Sequence, residues 1–435
     1  MKALDADVGR DPAGSQACGH TADVADPSGG VRGRGPHGPL LRHWRGGGRG
    51  AVAAVVTLSV WLLSGCAVAP VQDLTPPAVL VHDELFPPNK EVISAERIMA
   101  PSPAMRAFVQ ARLTRGLRGR EPRELLVEAL GAPGELKLEY DAEMTRTAGE
   151  AFDARMGNCL SLTLMTASFA RELGVPVIFR QIYQEEQYSR VGDLQVVSGH
   201  VNIGLGRRAT DFRVLGDQDP MLVVDFLPGA QIRRQRAMEL DEATVLAMYM
   251  NNRAAEWMAL GILDRAYWWA RAAWLQSPRL TSALNTLGVV YRRHGDLQPA
   301  EQAFREVLRR EPGNTQAMGN LAQLLRNTER VAEAQVWEEK LAKLEPYPPF
   351  KFFDLGVAAM RTGDYAGARR FFLREIDRSA YYHEFYFWLA LANVGLGRWD
   401  EVRQALAKAE EVSTTVRQRE LYAAKRESIK AKLLH

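Results

Sequence analysis

The sequence predicts two folded parts in series: an α+β domain and, after it, an all-α repeat solenoid. Two observations carry this. Between residues 151 and 240 a helical apolar pattern gives way to β-branched and aromatic runs. From about Asp241 the chain reads as helix throughout, and Pro278, Pro312 and Pro346 fall 34 residues apart, as do Ala266, Ala300, Ala334 and Ala368. At 435 residues the chain exceeds one ordinary domain. Its net charge of +3 is small, and no nucleic-acid partner is expected.

The first 65 residues read as a leader. Arg32, Arg34, Arg42, Arg45 and Arg49 precede an apolar run from Ala51 to Leu63, and Ser64-Gly65-Cys66 follows. A basic region, a short apolar segment and small residues before a cleavage point make a secretory signal, and the run is too short to span a bilayer comfortably. Leu63-Ser64-Gly65-Cys66 resembles the lipobox of bacterial lipoproteins, which implies that Cys66 is lipidated and becomes the new N-terminus. By the same resemblance Ala67, rather than Asp, favours the outer membrane. The expected location is therefore the bacterial cell envelope, with the chain lipid-anchored through Cys66 and facing the periplasm. Of the three cysteines, Cys18 leaves with the leader and Cys66 is used by lipid, so Cys159 remains as the free thiol. Residues 66–100 contain Pro70, Pro76, Pro77, Pro87 and Pro88 and are expected to form an extended tether, with His82 solvated in it.

Residues 101–240 carry the candidate chemistry. Helices are expected over 104–115, 122–130 and 141–154, the last running into a tight turn at Gly157-Asn158. Asn158 is a good N-cap, and Leu162, Met165, Phe169 and Leu173 recur at helical spacing until Gly174 and Pro176 end the helix. Cys159 thus sits in the first helical turn, where unpaired N–H groups and the helix dipole favour a thiolate. After Pro176 the pattern is strand-like: 177–183, a polar loop, 194–205 with His200, a charged loop over 206–220, and 221–227 with Asp225. A cysteine hydrolase or acyl-transferase needs a base within reach of the thiol and a third group to orient that imidazole. His200 is the only histidine between residues 83 and 293, so no other base competes for the role. The backbone N–H of Cys159 is the natural oxyanion donor, and no side-chain donor can be picked out. Neither a metal site nor a cofactor is expected, because His and Cys are few and lack ligand spacing.

Gly157-x-Cys159, the helix ending Leu173-Gly-Val-Pro176, Gly199-His200 before a strand and Val224-Asp225-Phe226 together resemble the transglutaminase-like cysteine-protease superfamily over roughly residues 140–230. The resemblance implies a papain-like core, with Cys159 as nucleophile, His200 as general base and acid, and Asp225 as the orienting carboxylate. The activity implied is that of a cysteine peptidase, amidase or transglutaminase-like acyl-transferase. Two departures stand out. Gly199-His200 is followed by Val201-Asn202 rather than the usual small residue and aromatic. The Gly157-Asn158-x-Leu-Ser161 stretch also resembles a bacterial branch in which proline replaces the cysteine and the domain is non-catalytic. An inactive scaffold for envelope assembly or secretion therefore stands as the alternative.

Residues 247–413 resemble four to five tetratricopeptide repeats, the first of them degenerate. Leu287-Gly288 recurs as Leu321-Ala322, Leu355-Gly356 and Leu389-Ala390, and Gly295, Gly363 and Gly397 mark turns between paired helices. Such solenoids present a groove, which implies a protein or peptide ligand. Trp268, Trp269, Trp274 and the cluster Tyr381-Tyr382 with Phe385-Tyr386-Phe387-Trp388 are candidate groove residues, with burial in the core as the other reading. Residues 414–435 are expected to cap the last repeat.

Overall fold

The structure, a computed structural model, describes residues 77–433 apart from 115, 117–119, 132–135, 192–193, 208–220 and 227–235. The leader, Cys66 and most of the 206–220 loop lie outside the described residues.

Helices α1 (Ala95–Met99), α2 (Pro103–Phe108) and α3 (Pro122–Gly131) lead to a two-residue strand β1 (Glu139–Tyr140). A helix was expected from residue 141. Helix α4 instead starts at Ala148 and runs to Ala154, because Thr147 and Glu150 form a reciprocal capping box that fixes the start there. Strand β2 (Met156–Gly157) pairs in parallel with β1, Tyr140 opposite Gly157. It feeds helix α5 (Cys159–Glu172), whose N-cap Asn158 accepts from the Ser161 N–H at 2.8 Å. Every residue of α5 from Leu160 to Ala170 is buried. This is the helix on which the domain is built: Phe169 meets Phe152 of α4 and Phe108 of α2, ring centroids 5.6 and 5.9 Å away.

A four-stranded antiparallel sheet packs on α5. It consists of β3 (Val177–Val191), β4 (Leu194–Leu205), β5 (Leu222–Val224) and β6 (Ala237–Leu240), in the order β5-β4-β3-β6. The polar stretch 184–191, expected as a loop, continues β3 beside β4 as a long hairpin arm, Val191 pairing with Leu194. Strand β6 was not expected. It completes the sheet on the free edge of β3, pairing Phe179 with Leu240.

Five helix pairs follow in the described residues: α6 (Glu242–Ala259) with α7 (Leu263–Gln276), α8 (Thr281–His294) with α9 (Leu297–Arg310), α10 (Thr315–Asn327) with α11 (Val331–Leu344), α12 (Lys351–Arg361) with α13 (Tyr365–Arg378), and α14 (His383–Gly395) with α15 (Trp399–Val412). Helix α16 (Val416–Leu433) packs last. Ala266, Ala300, Ala334 and Ala368 are fully buried where the helices of each pair touch. The turn inside each pair takes a left-handed residue at a constant 34-residue interval: Gly261, Gly295, Glu329, Gly363 and Gly397, all at positive φ. The Gly288 and Gly356 positions are dictated by size. A Cβ there would strike the Phe304 or Phe372 ring sixteen residues on, whereas Ala322 has Glu338 at the same offset.

Two departures from a plain solenoid matter for function. The first is that the array has two cores. One runs from Leu80 through the cysteine domain to Ala334, and the other gathers Phe350, Phe372, Phe385, Val402 and Tyr422. The change falls at Pro346-Tyr-Pro-Pro349, before Phe350 in left-handed conformation. The second is that the N-terminal segment is no free tether. Residues 77–91 lie across α7 and α8 as a strap. Phe86 stacks on Tyr267 at 3.9 Å, and the Trp274, Trp268 and Trp269 indole N–H groups donate to the Pro77 carbonyl, the Pro87 carbonyl and Glu91. His82, expected to be solvated, donates its backbone N–H to the Tyr291 hydroxyl and pairs its ring with Glu84 at 3.1 Å. Apolar burial and satisfied indoles outweigh the extended preference of the prolines.

Candidate active site

The structure brings the three candidate residues together from three elements. Cys159 opens α5, His200 lies on β4, and Asp225 follows directly on β5, one residue past the strand. The α5 N-terminus packs beneath β4, with the Thr163 hydroxyl donating to the Val201 carbonyl at 3.5 Å. The His200 Nε2 lies 2.8 and 2.7 Å from the two Asp225 carboxylate oxygens. His200 is 6 % exposed and the Asp225 side chain is buried completely.

With Nε2 committed to Asp225, Nδ1 is the nitrogen left for the thiol. It is buried and makes no hydrogen bond of regular geometry, yet the Cys159 sulfur is near enough to act on the ring both as a partner and as a charge. Burial alone would pull the imidazole pKa down. The hydrogen bond to Asp225 and the neighbouring Cys159 sulfur outweigh it and raise His200 to about 9. Imidazolium is therefore the form this site holds near neutral pH.

Two further residues complete the site. Asn202 is fully buried, and its side-chain N–H donates to Asp225 at 3.0 Å. It sits two residues beyond His200 on the same strand, hence on the same face, so the period of two was the signal that could have singled it out. Tyr140 is the other. Its register opposite Gly157 sets the phenol beside Cys159, near both the backbone N–H and the sulfur. Burial pushes the Tyr140 pKa up, and the Cys159 and Asp225 charges push the same way, so the phenol stays a protonated donor. No spacing rule reaches Tyr140, because a two-residue parallel bridge leaves no trace in the sequence. The Cys159 N–H, expected to serve an oxyanion, thus already has the Tyr140 oxygen in front of it.

Asn158 is committed to the turn. Its carbonyl oxygen caps Ser161 and its amide donates to the Thr145 hydroxyl at 2.9 Å, which locks the turn ahead of Cys159. Among the described residues no three or more His, Cys, Asp or Glu gather as a metal site would require, and no helix is long and apolar enough to cross a membrane.

The candidate groove residues of the repeats are held largely by the chain itself. Besides the strap on Trp268, Trp269 and Trp274, the hairpin arm reaches the second block of repeats. The Tyr188 N–H donates to the Tyr381 hydroxyl at 2.6 Å, and Arg190 clasps Asp354 at 2.7 and 3.2 Å while lying over the Phe350 ring.

The fold thus comprises a domain in which a half-buried Cys159 lies by a buried His200–Asp225 pair, and an array of helical pairs. Comparison with known proteins speaks to the second part. A tetratricopeptide-repeat family model matches residues 285–347 and 353–414, so the C-terminal part carries tetratricopeptide repeats in an all-helical solenoid. The two matched segments are separated where the core divides. Among solved structures, the chain is similar to TTC0263, a thermophilic tetratricopeptide-repeat protein of Thermus thermophilus, at 20 % identity over 41 % of this chain and 97 % of that one, TM-score 0.27. It is similar to the MamA protein at 18 % identity, over 40 % and 93 % of the two chains, TM-score 0.23. YrrB, a repeat protein with an unusual peptide-binding site, gives 18 %, 41 %, 92 % and 0.22. The curated proteins yield no match.

Proposed function

We propose that the chain is a thiol-dependent amide hydrolase or acyl-transferase whose repeats hold a protein or peptide partner. The observation that carries the reading is the buried His200–Asp225 pair, with Nδ1 of the same ring left toward Cys159. The transglutaminase-like resemblance of residues 140–230 supports it. In this mechanism Cys159 attacks the amide carbon as the thiolate, with its proton held on His200. The oxygen that gains charge is met by the Tyr140 O–H, while the Cys159 N–H stays with the Tyr140 oxygen. Collapse breaks the C–N bond, His200 gives its proton to the departing amine, and a thioester remains on Cys159. Water or a second amine, deprotonated by His200, then attacks the thioester and frees the thiol. Asp225 keeps the ring oriented throughout, and Asn202 holds Asp225.

The scaffold reading rests on the likeness of Gly157-Asn158-x-Leu-Ser161 to the non-catalytic branch. One experiment separates the two. With the native chain near neutral pH, iodoacetamide alkylates Cys159 faster than it alkylates glutathione, and His200→Ala slows the reaction. Alkylation seen only after denaturation overturns the enzyme and leaves the scaffold. The envelope location is part of the same proposal: a lipid label should be incorporated by the full chain and lost in Cys66→Ser.

A further inference from the structure

The C-terminal end of the array comes back to the cysteine domain beside Tyr140. Strand β1 is only two residues long, and a parallel bridge of that length is too small to hold itself closed. Around it the Glu139 N–H donates to the Arg155 carbonyl at 2.9 Å and the Asp141 N–H to the Gly157 carbonyl at 3.0 Å. Two further holds come from the far end of the chain. The Arg419 guanidinium, on α16, donates to Glu139 at 2.7 Å, and the Ala142 N–H donates to the Thr414 carbonyl at 2.9 Å. Tyr140 thus lies between two anchors, one on the residue before it and one on the second residue after it.

The anchors are themselves fixed on the second repeat block. Ser413 and Thr415 are buried on either side of Thr414, and the Ser413 hydroxyl donates to the Ala409 carbonyl at 2.7 Å. Arg419 also donates to the Ser413 carbonyl, at 3.4 Å. Three residues along α16, Tyr422 is buried against His383, so the helix that carries Arg419 is seated on α14. The same block holds a second element of the site. Ile182 pairs with His200, the ladder shifts register between Ile182 and Gln187, and the arm beyond ends on Tyr381, Tyr382 and Asp354. We propose that α16 is a positioning element of the active site: Arg419 through Glu139, and the Thr414 carbonyl through Ala142, hold Tyr140 against Cys159. The catalytic value of that grip rests on the enzyme reading above, whereas the grip itself does not.

The test compares the native full chain with Arg419→Ala, Arg419→Glu and the exchanged pair Glu139→Arg with Arg419→Glu. Hydrogen exchange reads the grip alone. The Tyr140 to Ala142 amides should exchange up to about fivefold faster in Arg419→Ala, as loss of a part-exposed ion pair allows. They should exchange faster still in Arg419→Glu, where two carboxylates face each other, and return to within about twofold of native in the exchanged pair. Turnover of p-nitrophenyl acetate should fall and recover in the same order, while alkylation of Cys159 by iodoacetamide stays within about twofold. In a Tyr140→Phe background the Arg419 variants should cost no further turnover. Equal exchange in all four proteins overturns the proposal whatever the ester assay shows. So does a loss of turnover that adds to that of Tyr140→Phe, which would make α16 a support of the fold and not of Tyr140. A native chain that turns over no ester overturns the enzyme reading, and with it the catalytic role of the grip, even where exchange shows the grip itself.

Discussion

Asp225 grips the imidazole of His200 through Nε2 with both carboxylate oxygens, at 2.8 and 2.7 Å, and that contact sets the charge of the site. The pair raises His200 from 6.5 to about 9 against the pull of burial. Removing the carboxylate charge by Asp225→Asn should return the ring to the neutral form near pH 7. Alkylation of Cys159 by iodoacetamide at that pH should then fall by about tenfold or more. The linkage has a definite sign. A raised folded-state pKa stabilises the fold fully below about 6.5, and that contribution fades as pH rises through about 9. Native protein should therefore lose more melting temperature than Asp225→Asn between pH 6.5 and 9.5. Equal losses would separate the carboxylate from the titration of His200.

Tyr140→Phe probes the second donor at the sulfur. The phenol lies beside the Cys159 sulfur and N–H, so it matters most once an oxygen carries negative charge there. Turnover of an activated ester such as p-nitrophenyl acetate should drop by about a hundredfold. Alkylation, which builds no oxyanion, should change only a few-fold. A parallel loss in both would make Tyr140 a determinant of thiol reactivity rather than an oxyanion donor.

What the sequence disclosed and what it withheld follow from the range of the interactions. Cys159 at a helix start, His200 on a strand and the 34-residue period were legible, because capping, alternation and repeat spacing are local. The repeats are also where the family match falls. Tyr140 and the strap were not legible. Tyr140 depends on a bridge between Glu139-Tyr140 and Met156-Gly157, and the strap on contacts such as Asp83 with Arg271, 188 residues away. Proline composition suggested an extended tether for residues 66–100 and was silent on the aromatic surface that would capture its second half. The division of the array into two cores was readable in principle, since Glu338, Lys340 and Ala342 break the apolar pattern of their repeat, but the period itself hides a defect in what the period positions.

The strap should be a structural part of the molecule. Phe86 is 5 % exposed and stacks on Tyr267, while Asp83 takes both Arg271 nitrogens at 2.6 and 2.8 Å and the Tyr267 hydroxyl at 2.7 Å. Phe86→Ala should cost about 3 kcal/mol or more, as truncation of a buried aromatic does. Asp83→Asn should cost less, because Arg271 keeps solvent access. Urea unfolding gives both values. Limited proteolysis between residues 77 and 91 should accelerate in Phe86→Ala before any global unfolding, and a strap that stays protected would show that the stacking is not what holds it.

Glu329 occupies the one position of the left-handed series that is not glycine, at φ 60. Its side chain is exposed, so no buried contact repays the strain. An L-residue in this region costs about 1–2 kcal/mol, against the roughly 0.5–1 kcal/mol of chain entropy that glycine brings. Glu329→Gly should therefore stabilise the first repeat block by up to about 1 kcal/mol. A urea midpoint that falls instead would mean that the turn does not impose its backbone on the residue.

His383 should make the second repeat block acid-sensitive. The ring is buried, its Nδ1 lies 2.7 Å from the Tyr422 hydroxyl on α16, and burial lowers its pKa to about 4. A depressed histidine must stay neutral to remain folded, whereas the unfolded chain takes up the proton near 6.5. The unfolded state therefore binds more protons between these values, and stability falls as pH drops from about 6.5 toward 4. Hydrogen exchange should show α14 and α16 opening first across that window, ahead of the cysteine domain and α6–α11, whose core is separate. His383→Gln keeps a polar partner for Tyr422 but cannot titrate, so it should flatten the pH dependence while lowering stability somewhat at pH 7. If α14 and α16 in that variant still open at the same pH as in the native chain, the acid response originates elsewhere in the block.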